Sequence, residues 1–212
     1  MVRIILAGLA IMTVVGLSWE ASQAGVVSYV SRAGFSARGI ITENYGFEDF
    51  FGSYFYYPGD SWTTHGITYT NTRNIIMDPS SIYGNATNVV INDFWTPHTG
   101  IINGAYDMFG FDLGSLGLTF SPTLILNTNL NVYNLGVLEI PNVKDGMTFF
   151  GFVASGYEEH FTYFRLYGRN GGAPALDNVT LGTVSAVPEP TTFFLLGTGL
   201  GGLLFLKRKA RS

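Results

Sequence analysis

The stretch between residues 47 and 62 carries the side chains best suited to binding a ligand. Aromatic faces stack on the C–H faces of sugar rings, and neighbouring Asp or Asn side chains accept hydrogen bonds from sugar hydroxyls. Tyr56, Tyr57 and Trp62 lie beside a Pro-Gly turn, so we expect their rings to be the exposed ones. The pattern predicts a glycan-binding platform. The alternative is that these rings belong to the core, where aromatic side chains supply much of the buried area.

Residues that carry most enzymatic chemistry do not form a recognisable motif. The three histidines are scattered, and the sequence has no nucleophile elbow, phosphate-binding loop or metalloprotease motif. The absence of cysteine excludes thiol catalysis and iron–sulfur ligation. A glycosidase needs only two carboxylates roughly 5–10 Å apart. If the protein were a glycosidase, Asp107 with either Glu158 or Glu159 would be the candidate catalytic pair. We expect a protein that is not an enzyme.

Charge limits the choice of partners. Between residues 25 and 190 the chain has 14 acidic residues against 6 basic ones, a net charge of −8. Nucleic acid is therefore not an expected partner, because phosphate binding requires a basic face. Metal cations and neutral glycans are compatible with this balance.

The central part of the chain has the pattern of short strands separated by turns. Its apolar segments are rich in Phe, Tyr, Thr, Val and Ile, and Gly, Asn, Asp and Ser lie between them. The run 149–153 is apolar on both faces, as a central strand would be. These features predict one antiparallel β-sandwich, jelly-roll-like, over residues 25–186. The predicted strands are 66–70, 88–91, 105–111, 123–126, 131–133, 147–154, 161–167 and 175–181.

The first 24 residues have the organisation of a secretory signal peptide. Arg3 supplies a positive charge, and residues 4–17 form an apolar core of 14 residues. Ser22 and Ala24 are small residues at the two positions that signal peptidase reads, so we expect cleavage after Ala24. The alternative is an N-terminal anchor that is retained, for which the apolar run is short.

A second apolar segment lies near the C-terminus. Residues 193–206 would span about 21 Å as a helix, and an extension back to Thr191 gives about 24 Å, against a hydrocarbon core of about 30 Å. We expect a short transmembrane helix over about 191–206 that holds the protein in the inner membrane transiently. Basic residues beside a membrane segment stay cytoplasmic, so the preceding chain is expected to lie outside. The basic residues are Lys207, Arg208, Lys209 and Arg211.

The order of these C-terminal features resembles the PEP-CTERM protein-sorting domain. Its motif is present here as Val187, Pro188, Glu189 and Pro190, followed by the apolar helix and the basic cluster. The resemblance covers residues 187–212. It implies recognition by exosortase, a membrane-embedded enzyme that processes its substrates at or near the PEP motif, in Gram-negative bacteria that secrete exopolysaccharide.

Two strings in the central segment resemble the jelly-roll domains found ahead of PEP-CTERM tails, which are similar to carbohydrate-binding modules. They are residues 109–114 and the pair 149–153 with 175–182. The resemblance implies a structural Ca²⁺ with Glu48, Asp49 and Asp177 as its carboxylate ligands. Ca²⁺ takes six to eight oxygen ligands, so the alternative is an ordinary Asp-Asn turn at a strand end.

Together these observations predict an exported protein of the cell surface or exopolysaccharide matrix. Signal peptidase and exosortase would process it, and its sandwich would act as a structural or weakly glycan-binding unit. One alternative is a surface polysaccharide hydrolase. Another is an exterior domain that remains anchored in the membrane permanently.

Overall fold

In a computed structural model of the chain, the described residues are 25–48, 55–58, 61–70, 73–77, 89–91, 97–116, 122–140, 146–156, 158–168 and 173–185. They form fourteen strands and one short helix. In chain order the elements are β1 Val26–Tyr29, α1 Arg32–Ser36, β2 Gly39–Tyr45, β3 Phe55–Pro58, β4 Trp62–Thr64, β5 Ile67–Thr70, β6 Arg73–Met77, β7 Val89–Ile91, β8 His98–Tyr106, β9 Met108–Leu116, β10 Thr123–Thr128, β11 Val132–Val137, β12 Thr148–Ala154, β13 Phe161–Tyr167 and β14 Ala173–Val184.

The strands form two antiparallel sheets. Sheet A has eight strands in the order β1-β12-β9-β14-β7-β6-β3, with β2 also paired to β14. Sheet B has six strands in the order β11-β10-β13-β8-β5-β4. On β14, one edge pairs with β9, and the other edge is shared by β7 and β2. The predicted all-β, antiparallel class is confirmed, while the finer jelly-roll assignment stays a prediction.

The inner faces of the two sheets meet in one aromatic core. Phe109 of sheet A stacks on Phe164 of sheet B with ring centroids 5.2 Å apart, and both rings are fully buried. Leu124, Leu126 and Phe152 belong to the same cluster. Because both sheets contribute to this core, the arrangement is a sandwich.

Strand β12 buries both of its faces, as predicted for a central strand. Phe150 and Phe152 point into the core between the sheets. Phe149 and Val153 alternate with them and pack on the outer side of sheet A against Phe35 of α1. Because α1 covers the outer face of β12, this strand is apolar on both faces although the fold has only two sheets.

Helix α1 covers the outer face of sheet A through Phe35, which is fully buried. Ser31 caps the helix, since its Oγ accepts a hydrogen bond from the Gly34 N–H at 3.4 Å. A Cβ atom on Gly151 would lie 2.5 Å from the Phe35 ring, so glycine at this position makes room for the helix.

The predicted strand 105–111 is instead two strands that meet at Asp107. Strand β8 belongs to sheet B and β9 to sheet A, so the chain changes sheets at this residue. The corner is held by hydrogen bonds. The Asp107 carboxylate accepts the Val184 N–H at 2.6 Å, and its carbonyl accepts the Ala154 N–H at 2.8 Å.

The predicted signal peptide, residues 1–24, and the predicted sorting tail lie outside the described residues. Among the described residues, no helix is long and apolar enough to cross a membrane.

Candidate functional site

The three rings of the predicted glycan platform belong to different sheets. Tyr56 and Tyr57 lie in β3 of sheet A, and their side chains are outside the described part of the structure. Trp62 lies in β4 of sheet B and is half-buried. Its ring stacks on Tyr69 at 4.6 Å and meets Phe47 edge-on at 6.4 Å. One face of the indole is therefore used in packing, and the platform stays a prediction.

His98 lies in the aromatic core rather than at a surface site. Its ring is fully buried and lies 5.5 Å from the Tyr69 ring and 6.0 Å from the Phe164 ring. Neither ring nitrogen has a hydrogen-bond partner within the described part of the chain. Burial lowers the pKa of His98 to about 3, and burial likewise raises the pKa of the neighbouring Tyr69 well above its usual value. Both groups are therefore uncharged at neutral pH.

The most elaborate polar constellation is on the outer face of sheet A. We call it the outer polar cluster, and it comprises Arg32, Asp112, Asp177, Asn178 and Thr180. Asp112 of β9 and Asp177 of β14 are direct cross-strand partners. Like charges placed opposite one another destabilise a sheet. The cluster must therefore contain groups that offset the repulsion.

Asn178 joins the two carboxylates. Its Nδ2 donates to Asp112 Oδ2 at 2.9 Å and to Asp177 Oδ2 at 3.2 Å. The backbone of Asn178 has a φ of +46°, where the register of β14 on β9 shifts. Asparagine tolerates this left-handed conformation better than most residues. This irregularity in β14 directs the side-chain amide of Asn178 toward both Asp112 and Asp177.

Arg32 supplies the positive charge of the cluster from α1. Its Nη2 lies 2.9 Å from Asp112 Oδ1, and its Nη1 donates to Thr180 Oγ1 at 2.9 Å. The guanidinium carbon also lies 4.4 Å from the centre of the Phe149 ring. The side chain thus fastens α1 to β9, β14 and β12. Sequence reasoning missed Arg32 because its partners lie 80 to 148 residues away.

The three residues predicted to hold calcium are not seen together. Asp177 is buried, Glu48 is exposed, and Asp49 lies outside the described residues. Within the described ranges there is no group of three or more His, Cys, Asp or Glu side chains placed to hold a metal ion. The calcium site stays a prediction, which thermal unfolding in Ca²⁺ and in EDTA would test.

A second polar group surrounds Glu159, whose side chain is 2% exposed. Its Oε1 accepts hydrogen bonds from Thr128 Oγ1 at 2.6 Å, Tyr133 Oη at 2.7 Å and Asn131 Nδ2 at 3.2 Å. Burial acts to raise the pKa of Glu159, but these hydrogen bonds outweigh it and hold the pKa below its usual value. The carboxylate therefore ties the β10–β11 hairpin to the segment before β13.

We expect Arg32→Gln to lower the free energy of unfolding by about 1.5–3 kcal/mol, the usual worth of hydrogen bonds to a charged group. The substitution leaves two facing carboxylates without the guanidinium. Urea unfolding at pH 7 measures the change. Arg38→Gln is the matched control, because it removes the same charge from an exposed side chain. Equal losses in the two variants would contradict the role assigned to Arg32.

Residues 186–209 match the PEP-CTERM protein-sorting motif. The match contains the Pro188-Glu189-Pro190 triplet, the apolar run and the first basic residues. It confirms the resemblance of the tail and supports exosortase-dependent sorting, with export to the surface or extracellular space. No curated protein matches the chain.

Proposed function

We propose that this protein is a non-enzymatic component of the cell surface or of an exopolysaccharide matrix. In this proposal, signal peptidase removes residues 1–24. Exosortase then processes the chain at the PEP motif, and the β-sandwich acts as a structural unit that binds glycans weakly. The observation that carries the proposal is the sorting-motif match at residues 186–209.

The charge distribution supports the direction of export. Arg3 precedes the first apolar segment, and the basic cluster after residue 206 follows the second. Positive residues favour the cytoplasmic side of a membrane. Both ends therefore favour the same topology, with the acidic central segment outside.

Several of the described carboxylates support a structural reading of the domain. Those of the outer polar cluster are held by Asn178 and Arg32, and Glu159 accepts three hydrogen bonds through one oxygen. Asp107 accepts a backbone N–H at a corner of the chain. Each of these groups has a role in stabilising the fold, which is the reason that we favour binding over catalysis.

We expect the protein isolated from the surface of an exosortase-containing host to begin after Ala24 and to lack residues 191–212. Intact-mass spectrometry of the surface fraction measures both ends. Glu189→Ala, which alters the PEP motif, should leave the full tail in place and shift the protein to the membrane fraction. Glu158→Ala, an exposed acidic residue of the domain, is the control and should be processed normally.

Surface-fraction protein that still contains residues 191–212 would contradict the sorting proposal and favour a permanent anchor. Normal processing of Glu189→Ala would contradict the role of the PEP motif.

A further inference from the structure

The outer face of sheet B presents a continuous row of uncharged side chains. The strand register aligns one residue from each of the six strands. In spatial order they are Val132, Asn127, Tyr163, Ile101, Thr68 and Thr63. Neighbouring strands lie about 4.8 Å apart, so the row is about 24 Å long. This length suits an extended chain molecule better than a small ligand.

The direction of these side chains follows from the alternation along each strand. In β13, Phe164 and Leu166 are fully buried in the core, while Tyr163, Arg165 and Tyr167 are half-buried on the opposite face. In β8, Ile101 is 43% exposed between two buried residues. An exposed isoleucine and a half-buried tyrosine therefore lie side by side at the centre of the row.

Hydroxyl and amide groups surround these two apolar surfaces. Thr63 and Thr68 share a hydrogen bond of 2.8 Å, and Asn103 Nδ2 donates to Thr68 Oγ1 at 2.8 Å. Side chains of this kind both donate and accept hydrogen bonds. Combined with a tyrosine ring, they match the alternating C–H and hydroxyl surfaces of a sugar chain.

A parallel row on the same face contains one charged residue, Arg165. In spatial order this row is Asn134, Ile125, Arg165, Thr99 and Thr70, and Thr99 in it is buried. The Arg165 guanidinium carbon lies 4.3 Å from the centre of the Tyr167 ring. Neither row contains an Asp or Glu residue. The face is therefore weakly positive on a chain whose net charge is −4.

Arg165 is not neutralised by an acidic side chain among the described residues. The ion pairs seen there join Arg32 to Asp112 and His65 to Glu43. The Arg165 Nε is buried and has no hydrogen-bond partner within the same part of the chain. A guanidinium that stacks on an aromatic ring and lacks a carboxylate partner is well arranged to bind a carboxylate supplied by a ligand.

We propose that this face binds an acidic polysaccharide, a glycan chain that carries carboxylate groups. Tyr163 stacks on a sugar ring, Arg165 pairs with a sugar carboxylate, and Thr63, Thr68 and Asn103 bind hydroxyls. Charge complementarity selects this partner, because no acidic side chain among the described residues pairs with Arg165 and a neutral glycan would supply none. The inference rests on the proposed glycan-binding function and gives it a site and a ligand class, at a different place from Tyr56, Tyr57 and Trp62.

The test uses the full chain in an uncharged detergent, titrated with polygalacturonate and with neutral dextran. We expect polygalacturonate binding that weakens with added salt, and weaker binding to dextran. Arg165→Gln should reduce affinity for polygalacturonate at least about tenfold, as expected for loss of a hydrogen-bonded charge. Arg38→Gln removes the same charge from an exposed side chain between α1 and β2, outside both rows, and should stay within about twofold of wild type.

Exposed Ile101 allows a second test that does not depend on removing a packed side chain. Ile101→Glu should abolish binding through charge repulsion, whereas Ile101→Lys should strengthen it. Circular dichroism checks that each variant is folded, and the Ile101 pair decides the result if Arg165→Gln unfolds.

The outcomes separate the two proposals. If the wild-type protein binds neither polymer, the proposed glycan-binding function fails. If it binds polygalacturonate while Arg165→Gln and both Ile101 variants bind as wild type does, the face is wrong and the function stands. Equal binding of dextran, or an equal loss in Arg38→Gln, overturns the assignment of an acidic ligand. If the protein released reducing ends from either polymer, the proposal that it is not an enzyme would be overturned, while the proposed binding face would stand.

Discussion

Wild-type protein is expected to lose stability between pH 6.5 and pH 4.5, and replacing His98 with phenylalanine is expected to abolish most of that loss. His98 is fully buried, with its ring between those of Tyr69 and Phe164. Burial lowers its pKa to about 3, whereas an unfolded histidine titrates near 6.5. The unfolded state therefore takes up a proton first as the pH falls.

The sign of the effect follows from this order of protonation. A folded-state pKa below the unfolded value means that folding stability falls as the pH drops below about 6.5. The slope is about 1.4 kcal/mol per pH unit and continues toward the folded pKa. Between pH 6.5 and pH 4.5 the loss is about 2 kcal/mol, because the unfolded histidine is already half protonated at pH 6.5, and this is a substantial share of the stability of an ordinary domain.

Two carboxylates have shifted pKa values, and the shifts affect folding stability in opposite directions. The pKa of Glu159 is held low, so its contribution is lost only below about pH 4.5. Burial raises the pKa of Asp107, which makes the folded state relatively more stable as the pH falls. The interval from pH 6.5 to 4.5 therefore reports mainly on His98.

Urea unfolding of the wild type and of His98→Phe at pH 7, 6 and 5 measures the effect. At pH 7 the variant should be at least as stable as wild type, because it removes two buried nitrogens that have no hydrogen-bond partner in the described part of the chain. His160→Gln serves as the control and should keep the slope, since His160 is only half-buried. A wild type with flat stability across this range would refute the prediction.

Removing the Phe35 ring is expected to cost about 3–5 kcal/mol, the usual penalty for truncating a buried phenylalanine. Phe35 is fully buried although α1 has only five residues. Its ring packs on Phe149 at 5.5 Å, and the backbone of Gly151 lies beneath it. Most of the attachment of α1 to sheet A through apolar contacts depends on this one side chain.

Gly151→Ala tests the same contact from the strand side. The added Cβ would lie 2.5 Å from the ring of Phe35, so we expect a loss of about 1–3 kcal/mol from overpacking. In Phe35→Ala/Gly151→Ala the conflict with the Phe35 ring is gone, and the Phe149 ring, 3.0 Å from the added Cβ, is the remaining close contact. The double variant should therefore lose clearly less than the sum of the two single variants.

Gly34→Ala is the matched control for the glycine substitution. Its Cβ would meet no atom closer than 3.8 Å, and alanine favours a helix, so stability should stay equal or rise. Denaturant unfolding of the wild type, Phe35→Ala, Gly151→Ala and the double variant gives the four free energies of the double-mutant cycle. Additive losses in Phe35→Ala and Gly151→Ala would show that the ring and the glycine do not contact each other.

Local sequence patterns were sufficient for several features. The apolar run at residues 149–153 predicted a strand with two apolar faces, and the structure has β12 there with both faces packed. Such patterns work because strand side chains point to opposite faces with a period of two. The same reasoning joined β8 and β9 into one strand at 105–111. A corner that is held by contacts to distant Ala154 and Val184 has no local signal.

What the sequence alone determined is the class of the domain and the destination of the chain. The sorting motif is read as a linear string, and strand periodicity is a local property. Tertiary structure decided which side chains meet. It placed Arg32 beside Asp112, buried His98 with no hydrogen-bond partner among the described residues, and aligned Tyr163 with Ile101 on the outer face of sheet B. These relations depend on strand order and register between residues far apart in the chain, which no local pattern encodes.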